Sequence, residues 1–105
     1  MTTLALQYEL ARMTFDNGDY ASAAKQLAGV VAEAPDEVSA RLLLARAYYH
    51  SAQLTRAETT LREVIERAPT EAYAHLMLGR TLQRQSRHAD AAPHLRLAAA
   101  MGLAA

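Results

Sequence analysis

The amino-acid sequence repeats its own pattern every 34 residues, as from Leu10 to Leu44 and Leu78, and this period limits the possible folds more than any other feature. Identical residues recur at this spacing in three more sets: Arg12, Arg46 and Arg80; Ala23, Ala57 and Ala91; Leu27, Leu61 and Leu95. A period in this range is typical of helical hairpins that bury their apolar faces only by stacking on one another. The sequence therefore predicts three stacked hairpins within its 105 residues.

Hydrophobic periodicity and helix-breaking residues divide each repeat into two helices. The middle repeat is the clearest, because apolar residues recur at steps of three and four from Leu54 to Ala68 and Pro69 then closes the unit. Gly18 can end the first helix in the left-handed conformation, and Pro35 ends the second helix. We expect helices over about 3–16 and 20–34, a third ending at 50, a fourth ending near 68, a fifth ending near 84 and a sixth beginning near 88.

Several local features follow from these helices. Hydroxyl and carboxylate side chains are expected to cap helix N-termini at Thr2 or Thr3, Asp36, Thr55 and Thr70, with Thr55 and Glu58 in a capping-box pattern. Pro93 is expected in the first turn of the sixth helix, where a proline loses no intrahelical hydrogen bond. The inward stripe of the first helix is expected to consist of Leu4, Leu6, Leu10 and Ala11.

The repeats resemble those of the tetratricopeptide repeat (TPR) family over nearly the whole chain. The residues that carry the resemblance are Leu44-Ala45, Leu78-Gly79, Tyr48, Gly18-Asp19-Tyr20, Ala57, Leu61 and Pro69. The chain departs from the family at its early tryptophan place, which holds Gln7, Arg41 and His75, and at its tyrosine place, which holds Thr14 and Leu82 in the outer copies. The resemblance implies an all-α solenoid of six antiparallel helices, forming one domain with repeats at about 3–35, 36–69 and 70–103.

Composition and charge exclude several classes of protein. The chain has no cysteine, so it forms no disulfide framework and no thiolate metal site. Its formal net charge is zero, which argues against a dedicated nucleic-acid binder, and no apolar run approaches the length that spans a bilayer. We expect a cytoplasmic protein that binds neither nucleic acid nor membrane. Charge is nevertheless graded: residues 1–35 carry two bases and four acids, whereas residues 70–105 carry four bases and two acids.

The resemblance also implies where a partner binds, because the first helix of each TPR repeat lines a concave groove that holds a peptide or a partner's helix. Transferred position by position, the groove residues are Tyr8, Arg12, Phe15, Leu42, Leu43, Arg46, Tyr49, His50, Tyr73, Leu76, Met77, Arg80 and Arg84. Such a surface suits a segment with acidic and apolar anchors, since arginine binds carboxylates in bidentate fashion and aromatic rings supply contact area. The lysine and asparagine places of the chaperone-binding TPR clamp are not matched.

The recurring arginines and the tyrosines each allow a second interpretation. Arg12 has acidic neighbours, Glu9 and Asp16, on its own helix and can simply pair with them. Arg46 and Arg80 have no acid three or four residues away, which favours a role in binding. The tyrosines can instead serve as half-buried packing residues.

The last helix lacks the charged face of the middle repeat, since Leu97 and Met101 stand where the second copy has Glu63 and Arg67. Terminal repeats normally have a polar outer face. The sequence therefore indicates a candidate self-association face formed by Leu95, Leu97, Met101 and Leu103. Contact with another partner, cover from a further C-terminal region, or a tolerated exposed patch are the alternatives.

A catalytic function is the main competing hypothesis and has little support. The histidines, His50, His75, His88 and His94, are not spaced to place two of them on one face of a helix, so no paired metal site is predicted. There is no glycine-rich phosphate loop and no serine in a nucleophile motif. We expect a non-catalytic module without metal or cofactor.

Overall fold

The computed structural model describes residues 3–103, and this part of the chain forms six α-helices and no strand. They are α1 (Leu4–Asp16), α2 (Tyr20–Glu33), α3 (Val38–His50), α4 (Leu54–Arg67), α5 (Ala72–Arg84) and α6 (His88–Ala100). Each helix packs on the next one in the chain, and α3 also touches α5. The described chain measures 46 × 24 × 20 Å. The prediction of an all-α solenoid of three helical hairpins is confirmed.

The core is built mainly from alanine and leucine and lies in two apolar clusters. The first joins the opening hairpin to α3 through residues such as Leu27, Val30 and Leu44. The second joins the middle and last hairpins through residues such as Leu61 and Leu78. The apolar residues that recur at helical spacing in α2 are all buried: Ala23, Ala24, Leu27, Val30 and Val31.

The first helix of every hairpin ends in the same left-handed turn. Gly18, Ala52 and Ser86 occupy equivalent places and have φ angles of 83°, 61° and 61°. The next amide in each case donates to a carbonyl in the last turn of the helix, as Gln53 N–H does to the Tyr48 oxygen at 2.8 Å. This is the Schellman arrangement, in which the left-handed residue lets the chain satisfy a free carbonyl. The predicted role of Gly18 is confirmed.

Helix caps differ in part from the sequence-based expectation. Thr3 caps α1 by accepting from the Leu6 amide at 3.1 Å, whereas Thr2 lies outside the described residues. The prediction that Asp36 and Thr70 act as caps is wrong. The amide two residues after each proline, that of Glu37 or Glu71, closes a turn onto Ala34 or Ala68. Those glutamates become the N-cap residues, without a side-chain bond, so Asp36 and Thr70 lie one place too early.

The capping box at Thr55 is also wrong. The fourth helix begins at Leu54, so Thr55 is already its second helical residue. The Glu58 carboxylate does not return to the helix start but accepts from Arg62 at 3.1 Å and from Arg87 at 2.7 Å. Arg87 precedes α6, so Glu58 ties the middle hairpin to the last one.

Two polar side chains form hydrogen bonds between adjacent repeats, at the position where the family has tryptophan. Arg41 is buried, donates to the Pro35 carbonyl at 2.7 Å and pairs with Glu63 at 3.2 Å. His75 is its equivalent one repeat later and binds the Pro69 carbonyl at 2.9 Å through Nε2. The loss of the aromatic residue is therefore compensated by hydrogen bonds to the prolines that close the preceding repeats.

The predicted inward stripe of α1 is partly wrong. Ala11 is buried and Leu4 is half-buried, but Leu6 and Leu10 are exposed. Because a helix turns by about 100° per residue, Leu6 and Leu10 lie on the side opposite Leu4, Ala11 and Phe15. The stripe that packs into the core includes Leu4, Tyr8, Ala11 and Phe15.

The position of Pro93 also differs from the prediction. The sixth helix begins at His88, so Pro93 is its sixth residue and lies in the second turn. There it removes one intrahelical hydrogen bond, the one that its missing N–H would have donated. The helix nevertheless continues to Ala100.

Candidate interaction groove

Side chains from the first helices of all three hairpins meet around Arg46. The guanidinium carbon of Arg46, on α3, lies 4.9 Å from the ring centroid of Phe15 on α1 and 5.7 Å from that of Tyr73 on α5. These distances fall within the range of cation–π attraction. Arg46 is half-buried, and its Nε–H is buried without a hydrogen-bond partner in the described chain.

A second arginine holds the adjacent aromatic side chain. Arg84, near the end of α5, places its guanidinium carbon 4.6 Å from the Tyr49 ring centroid and donates to the Tyr49 carbonyl at 2.9 Å. Tyr49 in turn contacts His50 in a T-shaped arrangement, with centroids 5.4 Å apart. Arg84 thereby joins the C-terminal ends of α3 and α5.

His50 connects the two groups of side chains. Its ring stacks on Tyr20 with centroids 4.7 Å apart and meets the edge of Phe15 at 5.9 Å. We call the seven connected residues the aromatic–arginine cluster: Phe15, Tyr20, Arg46, Tyr49, His50, Tyr73 and Arg84. Partial burial, together with the positive charges of Arg46 and Arg84, lowers the pKa of His50 from its usual 6.5.

The other predicted groove residues have different environments. Leu43, Leu76 and Met77 are buried, so they support the surface from beneath. Tyr8, Leu42 and Arg80 are half-buried. Arg12 is exposed and pairs with Glu9 at 3.7 Å, which is the intrahelical pairing that its neighbours suggested. Arg80, in contrast, forms no ion pair within residues 3–103. The three recurring arginines are thus chemically different.

Sequence reasoning missed Tyr20 as a member of the cluster. The sequence pattern places it at the start of the second helix and gives it no role in the groove, yet its ring packs against Phe15 with centroids 5.0 Å apart. The available signal was its position two residues after Gly18, at the start of the helix that packs back on α1. The contact between Tyr20 and His50 joins two different repeats, so no local sequence pattern predicts it.

A pair of histidines was missed for the same reason. Nδ1 of His75, on α5, lies 3.4 Å from Nδ1 of His94, on α6. A carbonyl only accepts hydrogen bonds, so Nε2 of His75 carries the proton given to Pro69. Burial, His75 and Arg62 lower the pKa of His94 from 6.5. These two residues are 19 positions apart, so no helical spacing could reveal the pair.

The proposed self-association face on α6 is not one continuous surface. Leu97 and Met101 are large apolar residues that stay 41% and 38% exposed, whereas Leu95 and Leu103 are half-buried. Leu95 points towards α5, where a Cβ added to Gly79 would overlap its side chain. Leu97 is rotated by about 200° from Leu95 around the helix, so the two belong to different sides of α6.

Neither a metal site nor a membrane segment is found in the part of the chain that the structure covers. Among residues 3–103, no three histidine, aspartate or glutamate side chains are placed to hold a metal ion. None of the six helices has the length and apolar character needed to cross a membrane.

Comparison with known proteins agrees with the helical hairpins seen here. The tetratricopeptide repeat profile matches residues 14–80, which is more than half of the chain. The chain therefore belongs to the tetratricopeptide repeat family. No curated protein matches the sequence.

Solved structures of several repeat proteins are similar over nearly the whole chain. MamA from Desulfovibrio magneticus RS-1 is 26% identical with a TM-score of 0.88, and the match covers 93% of this chain and 55% of that one. YrrB, described as a TPR protein with an unusual peptide-binding site, is 20% identical with a TM-score of 0.92, covering 97% and 53%. A chain of the CopN–Scc3 complex is 17% identical with a TM-score of 0.88, covering 93% and 58%. This chain thus spans little more than half the length of these proteins.

Proposed function

We propose that the chain is a non-catalytic protein-interaction module that binds a partner segment in the groove formed by α1, α3 and α5. The observation that carries the proposal is the position of Arg46 between Phe15 of α1 and Tyr73 of α5. A guanidinium over a ring face keeps the N–H groups at its edge directed outwards in its own plane, where a carboxylate can meet them. The peptide-binding site that the YrrB structure is described as having supports this class of function.

The charge of the groove favours an acidic anchor in the partner. Arg46, Arg80 and Arg84 have no acidic partner in the described chain, and burial together with the charges of Arg46 and Arg84 lowers the pKa of His50. Arg46 is half-buried and its Nε–H has no acceptor in residues 3–103, so a carboxylate in the groove would bind the terminal N–H groups of a guanidinium that pairs with no acid. The rings of Tyr49 and Tyr73 and the half-buried Leu42 supply the apolar contact area.

A pull-down from lysate of the source cell tests this function. Arg46→Glu with Arg80→Glu reverses the charge of the groove, and Arg56→Glu with Arg67→Glu makes the same change on exposed α4 residues as the matched control. We expect the groove variant alone to lose a partner that wild type captures. Circular dichroism checks that each variant is folded. A partner retained by the groove variant, or lost equally by the control, would contradict the proposal.

Self-association through α6 is the second candidate, and the exposure of Leu97 and Met101 favours it. Single exposed leucines are ordinary on protein surfaces, but two large apolar side chains one turn apart on a terminal helix form a continuous patch. Leu97→Glu should then lower the sedimentation coefficient at high protein concentration, and a wild-type monomer at every concentration would contradict it.

A further inference from the structure

The first helix exposes an apolar face that nothing in the described chain covers. Leu6, Leu10 and Met13 are 50%, 48% and 60% exposed. They follow one another at steps of four and three residues, so they form one continuous stripe along α1. These are the three most exposed large apolar side chains of residues 3–103.

The same positions in the other two repeats are buried. In α3 they hold Ala40, Leu44 and Ala47, and in α5 they hold Ala74, Leu78 and Thr81; all six are at most 6% exposed. The second helix of the preceding repeat packs on each of these faces, α2 on α3 and α4 on α5. Val30 and Leu44 share one apolar cluster, and Val64 and Leu78 share the other. In both other repeats, the equivalent stripe is therefore covered by the second helix of the preceding repeat.

The opposite end of the array leaves part of the complementary surface open. Leu95 of α6 is half-buried, whereas its equivalents Leu27 and Leu61 are fully buried. Ala99 is exposed, whereas its equivalents Val31 and Ile65 are buried and half-buried. Ala98, the equivalent of Val30 and Val64, is already buried within the last hairpin. Within residues 3–103, the sixth helix is thus a second helix with no first helix packed behind it.

Charge favours contact between these two ends over contact between like ends. Residues 1–35 carry a formal charge of −2, and residues 70–105 carry +2. Two copies approaching with the first repeat of one against the last repeat of the other bring opposite charges together, whereas either symmetric arrangement opposes like charges.

We propose that α6 of one copy docks on α1 of a second copy, with its Leu95–Ala99 side against Leu6, Leu10 and Met13, as α4 docks on α5 within the chain. This proposal goes beyond the self-association candidate above, because it uses the Leu95–Ala99 side of α6 and not the side that carries Leu97 and Met101. The contact is heterologous and leaves an α1 and an α6 free at its two ends, so association continues into short linear chains of copies as concentration rises.

Variants blocked at one end give a sharp test by sedimentation velocity. Leu10→Glu blocks α1 and Ala99→Glu blocks α6; both residues are exposed, so the fold should tolerate the change. Each variant alone should remain monomeric, because its free end finds only blocked partners. An equimolar mixture should form a dimer and nothing larger. Ala89→Glu, on the exposed start of α6, is the matched control and should assemble like wild type. If Leu10→Glu does not fold, Leu6→Gln replaces it.

The other outcomes distinguish docking of α6 on α1 from other modes of self-association. If either blocked variant alone still associates as wild type does, the contact is symmetric and the head-to-tail proposal is wrong. If only Leu97→Glu abolishes association, the α6 patch acts without α1, so the second candidate function stands and the docking proposal falls. A wild-type chain that is monomeric up to millimolar concentration overturns both and leaves the stripe to a different partner.

Discussion

Two residues in this chain adopt a backbone conformation that their side chains disfavour. Ala52 and Ser86 both have a φ of 61° in the turn where Gly18 stands in the first repeat. A residue with a Cβ in this left-handed region places that atom close to a carbonyl oxygen, at a cost of roughly 1–2 kcal/mol. Both side chains are exposed, so no packing contact compensates.

Replacing Ala52 by glycine should therefore stabilise the protein. Relief of the strained conformation exceeds the added entropy of the unfolded chain, and we expect the free energy of unfolding to rise by about 0.5–1 kcal/mol. Urea denaturation measures this change. Gly18→Ala is the matched control and should shift the free energy of unfolding in the opposite direction. Equal or reduced stability of Ala52→Gly would show that the turn is not strained.

The His75–His94 pair makes a second prediction at this scale, for pH dependence. The folded-state pKa of His94 is lowered below its unfolded value of 6.5. Between the folded and unfolded pKa values of His94, the unfolded chain binds more protons than the folded chain, so the free energy of unfolding decreases as the pH falls. Well above pH 6.5 His94 is neutral in both states, and its titration no longer affects stability.

His94→Gln should weaken this pH dependence, because glutamine stays neutral. The measurement is the free energy of unfolding from urea titrations between about pH 8 and pH 5, compared as a slope so that any uniform loss of stability cancels. His88→Gln, an exposed residue of the same helix, is the control and should keep the wild-type slope. Some dependence should remain in the His94 variant, since the pKa of His50 is lowered as well. Identical slopes for both variants would contradict the role of the pair.

At the scale of the helices, the sequence predicted which elements exist but not which faces they use. The period of the apolar residues and the breakers Gly18, Pro35 and Pro69 were enough to place all six helices to within a few residues. The inward face of α1 was misassigned because Leu6 and Leu10 are as apolar as Leu4. Their equivalents in α3 and α5 are buried because α2 and α4 pack on them. The burial therefore depends on a neighbouring repeat and not on the helix's own sequence.

Helix N-termini show the same limit. The side chains of Asp36 and Thr70 are suitable caps, yet neither occupies the cap position. Each proline lies in a turn that the amide of Glu37 or Glu71 closes. The next helix begins only after that glutamate. Asp36 and Thr70 therefore lie one residue before the N-cap positions, which are occupied by Glu37 and Glu71.

At the scale of the whole molecule, the candidate site was only partly predictable. The repeat period identified Arg46 as a residue of interest, since its own helix offers no acid to pair with. Its position between Phe15 and Tyr73, and the contacts of Tyr20 with His50, depend on how three hairpins stack. Separations of about 27 to 31 residues across two repeats leave no local pattern in the sequence.

The two proposed surfaces use different parts of the molecule and need not exclude each other. The groove lies on the first helices, around Arg46, whereas head-to-tail docking uses the outer side of α1 and the free side of α6. Stacking copies end to end would extend the groove from one copy into the next, as successive repeats do within the chain. Binding in the groove and association at the ends can therefore be measured separately with the variants described above.

Selection of binders from a library of short random peptides tests the groove most directly, since it works without the natural partner. We predict that wild type enriches peptides that combine aspartate or glutamate with large apolar residues. Arg46→Glu with Arg80→Glu should fail to enrich these peptides, and Arg56→Glu with Arg67→Glu should enrich the same ones as wild type. Enrichment of the same acidic peptides by the groove variant, or of basic peptides by wild type, would contradict the proposed function.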